Sequence, residues 1–178
     1  RGGYWLDPAA EGARGYILEF SKKIIDLGFD ELQFDYIRFP AEGAALSAYY
    51  PHEREGVSKV DMICEFLKSV REKVNVSLAV DIFGVTAWQS RVDIKNLGQD
   101  LKVMSQYLDV ISPMLYPSHF HAGYDGFANP GSHPYEFLYN GLKRSQEILS
   151  QEAVTLVPWL QGFNMASPNF GPQYIRDQ

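Results

Sequence analysis

The sequence predicts an α/β fold and, within that class, a partial (β/α)₈ barrel. Apolar stretches of strand length alternate with amphipathic helical stretches, as in a parallel sheet with crossover helices. Loops after the predicted strands are long and those before them short, which suits a barrel whose working face is built by the βα loops. A nucleotide-binding doubly wound sheet is disfavoured, because the sequence has no G-x-G-x-x-G turn and no P-loop.

The composition predicts a single domain spanning residues 1–178. The chain has 178 residues, of which 46% are hydrophobic and 21% charged, enough for one sizeable core. The net charge is −6 and the basic residues are scattered, so we expect no nucleic-acid partner. No apolar run approaches the roughly 20 residues of a membrane helix, so we expect no membrane span. Cys64, the only cysteine, has the spacing of a core residue.

The first predicted elements are a short strand end, a helix and a strand. Residues 4–6 resemble a strand end, after which Asp7 and Pro8 predict the N-cap and first residue of a helix. This helix should end at Leu27, before Gly28. Its expected buried face consists of Tyr16, Phe20, Ile24 and Leu27. The strand that carries Asp35 follows within residues 31–40.

Four further helices and three further strands are expected after residue 57. Ser58 and Asp61 form a capping-box pattern that opens a helix. The next predictions are a strand at 76–83, one helix over 94–108, a strand at 109–116, a helix from Pro134, a strand at 153–161 and a helix from Pro172.

These patterns give five strand ends, whereas a closed barrel has eight strands. The sequence therefore predicts a truncated barrel domain, covering roughly the third to the seventh unit. An uncovered parallel edge favours association, so we expect the edge to be covered either by a second copy, in a dimer, or by further parts of the barrel.

Parity along the predicted strands gathers a set of polar and aromatic residues at one rim. Successive side chains of a strand point to opposite faces, and in each strand here one face is more apolar than the other. The apolar face should pack against the outer helices, and the other face should point into the barrel. The residues that then converge are Asp35, Asp81, Tyr116, Trp159 and Gln161.

Two carboxylates in a cleft lined by Trp and Tyr suit the hydrolysis of a glycosidic bond. Arg38 would hold Asp35 ionised, so we favour Asp35 as nucleophile or base and Asp81 as acid. The alternative is structural, with either aspartate capping a loop or pairing with Arg38. No cofactor and no metal is expected for this chemistry. The expected substrate-binding residues are Trp5, Asp7, Tyr36, Arg38, Tyr116, His119, Trp159 and Gln161.

A metal-dependent hydrolase, such as a deacetylase, is a further alternative. His119 and His121 form an H-x-H pair just after a predicted strand. Together with Asp35, Asp81 and Asp125 they have the donor types of a zinc site. His119 is expected to contact sugar hydroxyls instead, and His121 to be exposed.

Two long motifs carry a family resemblance. They are GFDELQFDYIRFP at residues 28–40 and DVISPMLYPSHF at residues 109–120. Both resemble the bacterial glycoside-hydrolase-like domain family, a TIM-barrel group distantly related to α-amylase-like barrels. The resemblance implies that Asp35 lies at the fourth barrel strand and Asp81 at the fifth. In the amylase-like relatives the fifth-strand acid is Glu, and the arginine precedes the fourth-strand Asp rather than following it.

The resemblance implies a glycoside hydrolase that acts on a polysaccharide or oligosaccharide. For such a bacterial enzyme we expect secretion or association with the cell envelope, although no signal peptide opens the sequence. A barrel that binds carbohydrate without cleaving it is the alternative from a different class of function.

Overall fold

The computed structural model describes residues 6–41 and 47–178. It contains a parallel four-stranded sheet in the order β1-β2-β3-β4, so that β1 and β4 form its edges. The strands are Glu31–Phe34 (β1), Ser77–Phe83 (β2), Val110–Met114 (β3) and Thr155–Leu156 (β4). The predicted α/β fold is therefore confirmed. The expected strand end at residues 4–6 lies largely outside the described residues, as does Trp5.

Helices precede, connect and follow the strands. They are Glu11–Asp26 (α1), Lys59–Arg71 (α2), Arg91–Leu97 (α3), Leu101–Met104 (α4), Pro134–Ile148 (α5) and Pro172–Asp177 (α6). Across the two ranges that the structure describes, none of the helices has the length and apolar character needed to cross a membrane.

The prediction of one helix over residues 94–108 was wrong. The helix ends at Leu97 because Gly98 adopts a left-handed conformation, with φ of +73°. A Cβ at this position would also lie 2.9 Å from the carbonyl oxygen of Lys59. The side chain of Asp100 then caps α4, accepting hydrogen bonds from the backbone N–H groups of Lys102 and Val103.

The start of α1 also differs from the prediction. The helix begins at Glu11 with Ala10 as its N-cap, rather than at Pro8 after Asp7. Asp7 instead accepts hydrogen bonds from the backbone N–H of Ala9 at 2.9 Å and of His52 at 3.0 Å. Its carboxylate thus ties the approach to α1 to the segment before α2.

The face that α1 buries agrees with the predicted one only at Ile24, which packs against the core. Tyr16, Phe20 and Leu27 are exposed. The side of the helix that packs on the core carries Ile17, Leu18, Ser21, Ile24 and Ile25. Both sets recur with helical spacing, and only packing against the sheet and its core decides between them.

The apolar face of the sheet packs on α2, as parity predicted. Leu32, Leu78, Val80, Ile82 and Ile111 are buried in one cluster with five residues of α2: Met62, Ile63, Phe66, Leu67 and Val70. The ring of Phe34 meets that of Phe66 edge to face at 5.5 Å. Cys64 is buried in the same cluster, and burial raises the pKa of its thiol to about 12.

The last strand is shorter than predicted. Only Thr155 and Leu156 form a ladder, opposite Val110 and Ile111, and Trp159 makes one further bridge to Met114. Pro158, which lacks an N–H donor, interrupts this segment. The backbone N–H groups of residues 155, 157 and 159 nevertheless all donate hydrogen bonds to carbonyl oxygens of residues 109–113. Trp159 therefore stays beside β3.

Candidate active site

Asp81 lies at the centre of the polar face of the sheet. Its residue is 6% exposed. Oδ1 accepts a hydrogen bond of 2.6 Å from Nε2 of Gln33 and another of 2.7 Å from Nε1 of Trp159. Oδ2 accepts no hydrogen bond from any residue within 6–41 and 47–178. The carboxylate is thus held through one oxygen, which leaves the other for chemistry.

The register of the sheet explains why these three side chains meet. Gln33 is the partner of Ala79, two residues before Asp81 on the same face of β2. Asp81 is the partner of Ser112, and Trp159 bridges to Met114, two residues further along β3. Side chains from β1 and from the segment after β4 therefore converge on one carboxylate oxygen of Asp81.

Asp35 lies at the same level of the sheet as Asp81. The last β1–β2 pair is Phe34 with Val80, and each aspartate is the next residue along its chain. Neighbouring strands are about 4.8 Å apart, so the two backbones are adjacent at this point. The backbones of the two predicted catalytic residues are therefore neighbours, with Asp35 directly after β1 and Asp81 two residues before the end of β2.

The chain turns away from the sheet directly after Asp35. Asp35 is exposed, and its Oδ1 accepts a hydrogen bond of 2.7 Å from the backbone N–H of Tyr36. Tyr36 has a φ of +56°, a left-handed conformation that is rare for a bulky residue and that recurs at functional sites.

Arg38 is buried against aromatic rings rather than lying in open solvent. Its guanidinium carbon lies 4.7 Å from the ring centre of Phe83 and 5.3 Å from that of Tyr36. Its Nη1 donates to the carbonyl oxygen of Phe39 at 3.2 Å. These contacts pack the segment after β1 against the end of β2.

Sequence reasoning missed the role of Gln99. This buried side chain donates to the carbonyl oxygens of Ile37 at 3.0 Å and Asp81 at 3.4 Å, and accepts from the N–H of Phe83 at 2.9 Å. It therefore links the segment after β1 to the strand that carries Asp81. Its only signal in the sequence is a polar residue that follows the helix-ending Gly98.

Burial and the charges of both aspartates affect the pKa of Tyr116. Burial raises the pKa of its hydroxyl, and the negative charges of Asp81 and Asp35 raise it further. Its ring contacts those of His119 and Phe163, at centroid distances of 5.2 and 5.3 Å. The two carboxylates and Tyr116 thus belong to one electrostatic environment.

Gln161 does not face a substrate cleft, contrary to the prediction. Its side chain is fully buried and acts as a clamp for the loop after β4. Oε1 accepts from the N–H of Ser118, and Nε2 donates to the carbonyl oxygens of Phe163 and Met165 and to the hydroxyl of Ser167. Trp159, by contrast, is 46% exposed and offers ring surface beside Asp81.

The proposed metal ligands are not gathered together. Asp125 bonds to Arg144 and Asn140, each at 3.0 Å, and the ring of His121 lies against that of Tyr124. The described residues, which include all five candidate ligands, contain no group of three or more His, Cys, Asp or Glu that could hold a metal ion.

A cavity of about 330 Å³ adjoins Asp35 and gathers four of the predicted site residues: Asp7, Asp35, Tyr36 and Arg38. The predicted residues therefore fall into two groups. One surrounds Asp81 on the polar face of the sheet, and the other surrounds this cavity at the end of β1.

Comparison with known proteins supplies a family. The whole chain, residues 1–178, matches a family described as "Putative glycosyl hydrolase domain". The chain belongs to this family, and the resemblance drawn from the two motifs is confirmed. No curated protein and no solved structure gave a match.

Proposed function

We propose that this protein hydrolyses glycosidic bonds of a polysaccharide or oligosaccharide, using Asp35 and Asp81 as its two carboxylates. The observation that carries the proposal is the carboxylate of Asp81, which is buried, held at Oδ1 by two side-chain donors and level with Asp35 on the neighbouring strand. Membership of a glycosyl hydrolase family supports the same chemistry.

The surroundings of the two aspartates suggest a division of roles. Asp81 is buried, and its Oδ2 accepts no hydrogen bond from the described residues, so this oxygen is placed to deliver a proton to the glycosidic oxygen. Asp35 is exposed, where it can attack the anomeric carbon or activate a water molecule. We therefore assign Asp81 as the acid and Asp35 as the nucleophile or base.

Aromatic rings beside Asp81 suit a sugar ligand. Trp159 donates its N–H to Asp81 and leaves nearly half of its surface exposed. Tyr116, His119 and Phe163 form a second cluster of rings near the same rim. Such rings present apolar faces with polar edges, which match the faces and hydroxyl groups of a sugar.

Substitution of each carboxylate tests the proposal. Asp35→Asn and Asp81→Asn should each lower kcat on a cleaved glycan by about 10²–10⁴-fold, while glycan binding persists. Asp30→Asn, which changes an exposed aspartate just before β1, serves as the matched control. If all three variants keep full activity, the pair is not catalytic. Unchanged glycan binding, with no turnover by the wild type on any glycan, would favour the carbohydrate-binding alternative.

The roles can be separated by rescue. An acid variant should recover activity on substrates with an activated aryl leaving group, because these need no protonation. A nucleophile variant should recover activity with added azide and yield a glycosyl azide. Rescue of Asp35→Asn by the aryl substrate, with Asp81→Asn still inactive on it, would reverse the assignment.

We further propose that the four-stranded sheet is part of a (β/α)₈ barrel. We also propose that the protein acts outside the cell or at its envelope. Exposed apolar residues near the edges of the sheet support the first point: Tyr16, Phe20 and Leu27 on the helix that leads into β1, and Val157 and Leu160 after β4. Further strands or a second copy would cover them.

A further inference from the structure

The cavity beside Asp35 has a position that matters for substrate choice. It lies between the first turns of α1 and α2 and the segment that follows β1, and its volume is about 330 Å³. This is within the range of small-molecule sites. Its lining includes the apolar residues Ile17, Ile37, Ile63 and Phe66.

The floor of this cavity is apolar and firmly packed. Ile63 and Phe66 belong to α2 and are buried in the main core, and Ile17 and Ile37 pack against the same core. Aliphatic side chains offer no partners to sugar hydroxyl groups, and burying a hydroxyl without a partner is costly. The floor therefore favours a hydrocarbon group over a sugar ring.

The charges around the cavity do not favour an anion. Arg14 donates to the carboxylate of Glu65 at 2.9 Å, so its charge is already compensated. Asp7 and Asp35 add two negative charges to the lining and Arg38 adds a positive one, so the lining carries charges of both signs. A ligand that enters beside them is therefore expected to be neutral.

Asp35 connects this cavity to the proposed chemistry, because it lines the cavity and also lies level with Asp81 on the sheet. We propose that the cavity is a subsite for a neutral apolar substituent of the substrate, namely an alkyl or aryl group carried by the sugar next to the cleaved bond. This inference rests on the proposed function and narrows its substrate class to glycans or glycosides that bear such a group.

Two glycosides that differ only in their alkyl group test the subsite. Binding of octyl β-glucoside, kept below its critical micelle concentration, is compared by calorimetry with binding of methyl β-glucoside. We expect one saturable site with an affinity at least tenfold higher for the octyl compound. The ratio isolates the alkyl group, so it does not depend on which sugar the enzyme cleaves.

A filled cavity should abolish this preference. Ala13→Phe places a ring in the cavity from the first turns of α1, whereas Lys23→Phe adds the same side chain at an exposed position of the same helix outside the lining. The first variant should bind both glucosides equally, and the second should keep the tenfold ratio. Equal effects of the two variants would show that the octyl chain binds to general apolar surface, and would overturn the proposal.

The wild-type protein provides a test that does not depend on a variant folding. With ¹³C-labelled isoleucine methyl groups, octyl β-glucoside should shift the resonances of Ile17, Ile37 and Ile63 and leave the exposed Ile175 unchanged. The proposal is wrong if these three do not respond. Because the readouts are binding alone, a protein that binds the octyl group but cleaves no glycan would refute the proposed function and retain the subsite.

Discussion

At the scale of single residues, the site depends on donors that are remote in the sequence. Gln33 and Trp159 are 48 and 78 positions away from Asp81, yet both donate to the same oxygen atom. An intramolecular hydrogen bond contributes about 0.5–1.5 kcal/mol, and these two also fix the direction in which the carboxyl group points. Both donors are therefore expected to affect activity, because they orient Asp81.

The indole hydrogen bond can be observed directly. Asp81→Ala should shift the indole N–H resonance of Trp159 upfield and speed its hydrogen exchange, because the acceptor of its hydrogen bond is lost. Trp88 is an internal control, since its Nε1 is buried without a hydrogen-bond partner in the described part of the chain. A two-dimensional ¹H–¹⁵N spectrum of both proteins provides the measurement. Equal shifts for Trp88 and Trp159 would contradict the geometry.

Tyr124 predicts a loss of stability at alkaline pH. Burial among the rings of Trp88, Phe120 and Phe137 and, secondarily, the charges of Asp93 and Asp125 raise the pKa of its hydroxyl to about 12, against an opposing effect of Arg144. The unfolded chain ionises near pH 10, before the folded protein does. The stabilisation is therefore complete below pH 10 and is lost as the pH rises towards 12.

The measurement is urea unfolding at several pH values between 9 and 12, on the wild type and on Tyr124→Phe. Stability should fall less steeply over this interval in the variant, which has no hydroxyl to ionise at this position. Parallel curves for the two proteins would show that Tyr124 does not contribute.

At the scale of elements, α2 contributes most to the core and begins with a complete capping box. The hydroxyl of Ser58 accepts from the N–H of Asp61 at 3.1 Å, and the carboxylate of Asp61 accepts from the N–H of Ser58 at 3.1 Å. The pattern was visible in the sequence because it is local, and the structure confirms it.

Removal of the cap should destabilise the whole domain. Ser58→Ala is expected to lower the free energy of unfolding by about 1 kcal/mol, because an N–H group at the start of α2 loses its acceptor. Ser150→Ala, at an exposed position after α5, should change stability by less than about 0.5 kcal/mol. Urea denaturation of the three proteins tests this, and an equal effect of both substitutions would contradict it.

At the scale of the whole molecule, the edges of the sheet predict association. Tyr16 and Phe20 lie exposed on the helix that leads into β1, which is an edge strand among the residues that the structure describes. If a second copy covers this edge, changing both residues to Lys should weaken self-association at least tenfold in sedimentation experiments, because apolar area is lost and charge is added.

An exposed aromatic pair on another helix supplies the control. Tyr135 and Tyr139 stack on α5 with ring centres 5.9 Å apart. Changing this pair to Lys should leave association unaltered. If the wild-type protein remains monomeric at every concentration, a second copy does not cover this edge.

The sequence by itself determined the alternation of strands and helices, the two faces of each strand, the cap of α2 and the family. These features depend on near neighbours or on a period along the chain, so they can be seen in the residues. From parity and strand order the sequence also predicts that Asp35 and Asp81 act together at one rim, and this stays a prediction.

Only the tertiary structure decided which face of α1 is buried, that Gln161 is a buried clamp, and that Gln33 and Trp159 hold Asp81. Each of these depends on which distant segment packs against the residue. Tyr16 and Ile17, one position apart on the same helix, illustrate the reason: hydrophobicity marks both as candidates for burial, but only contact with the core separates them.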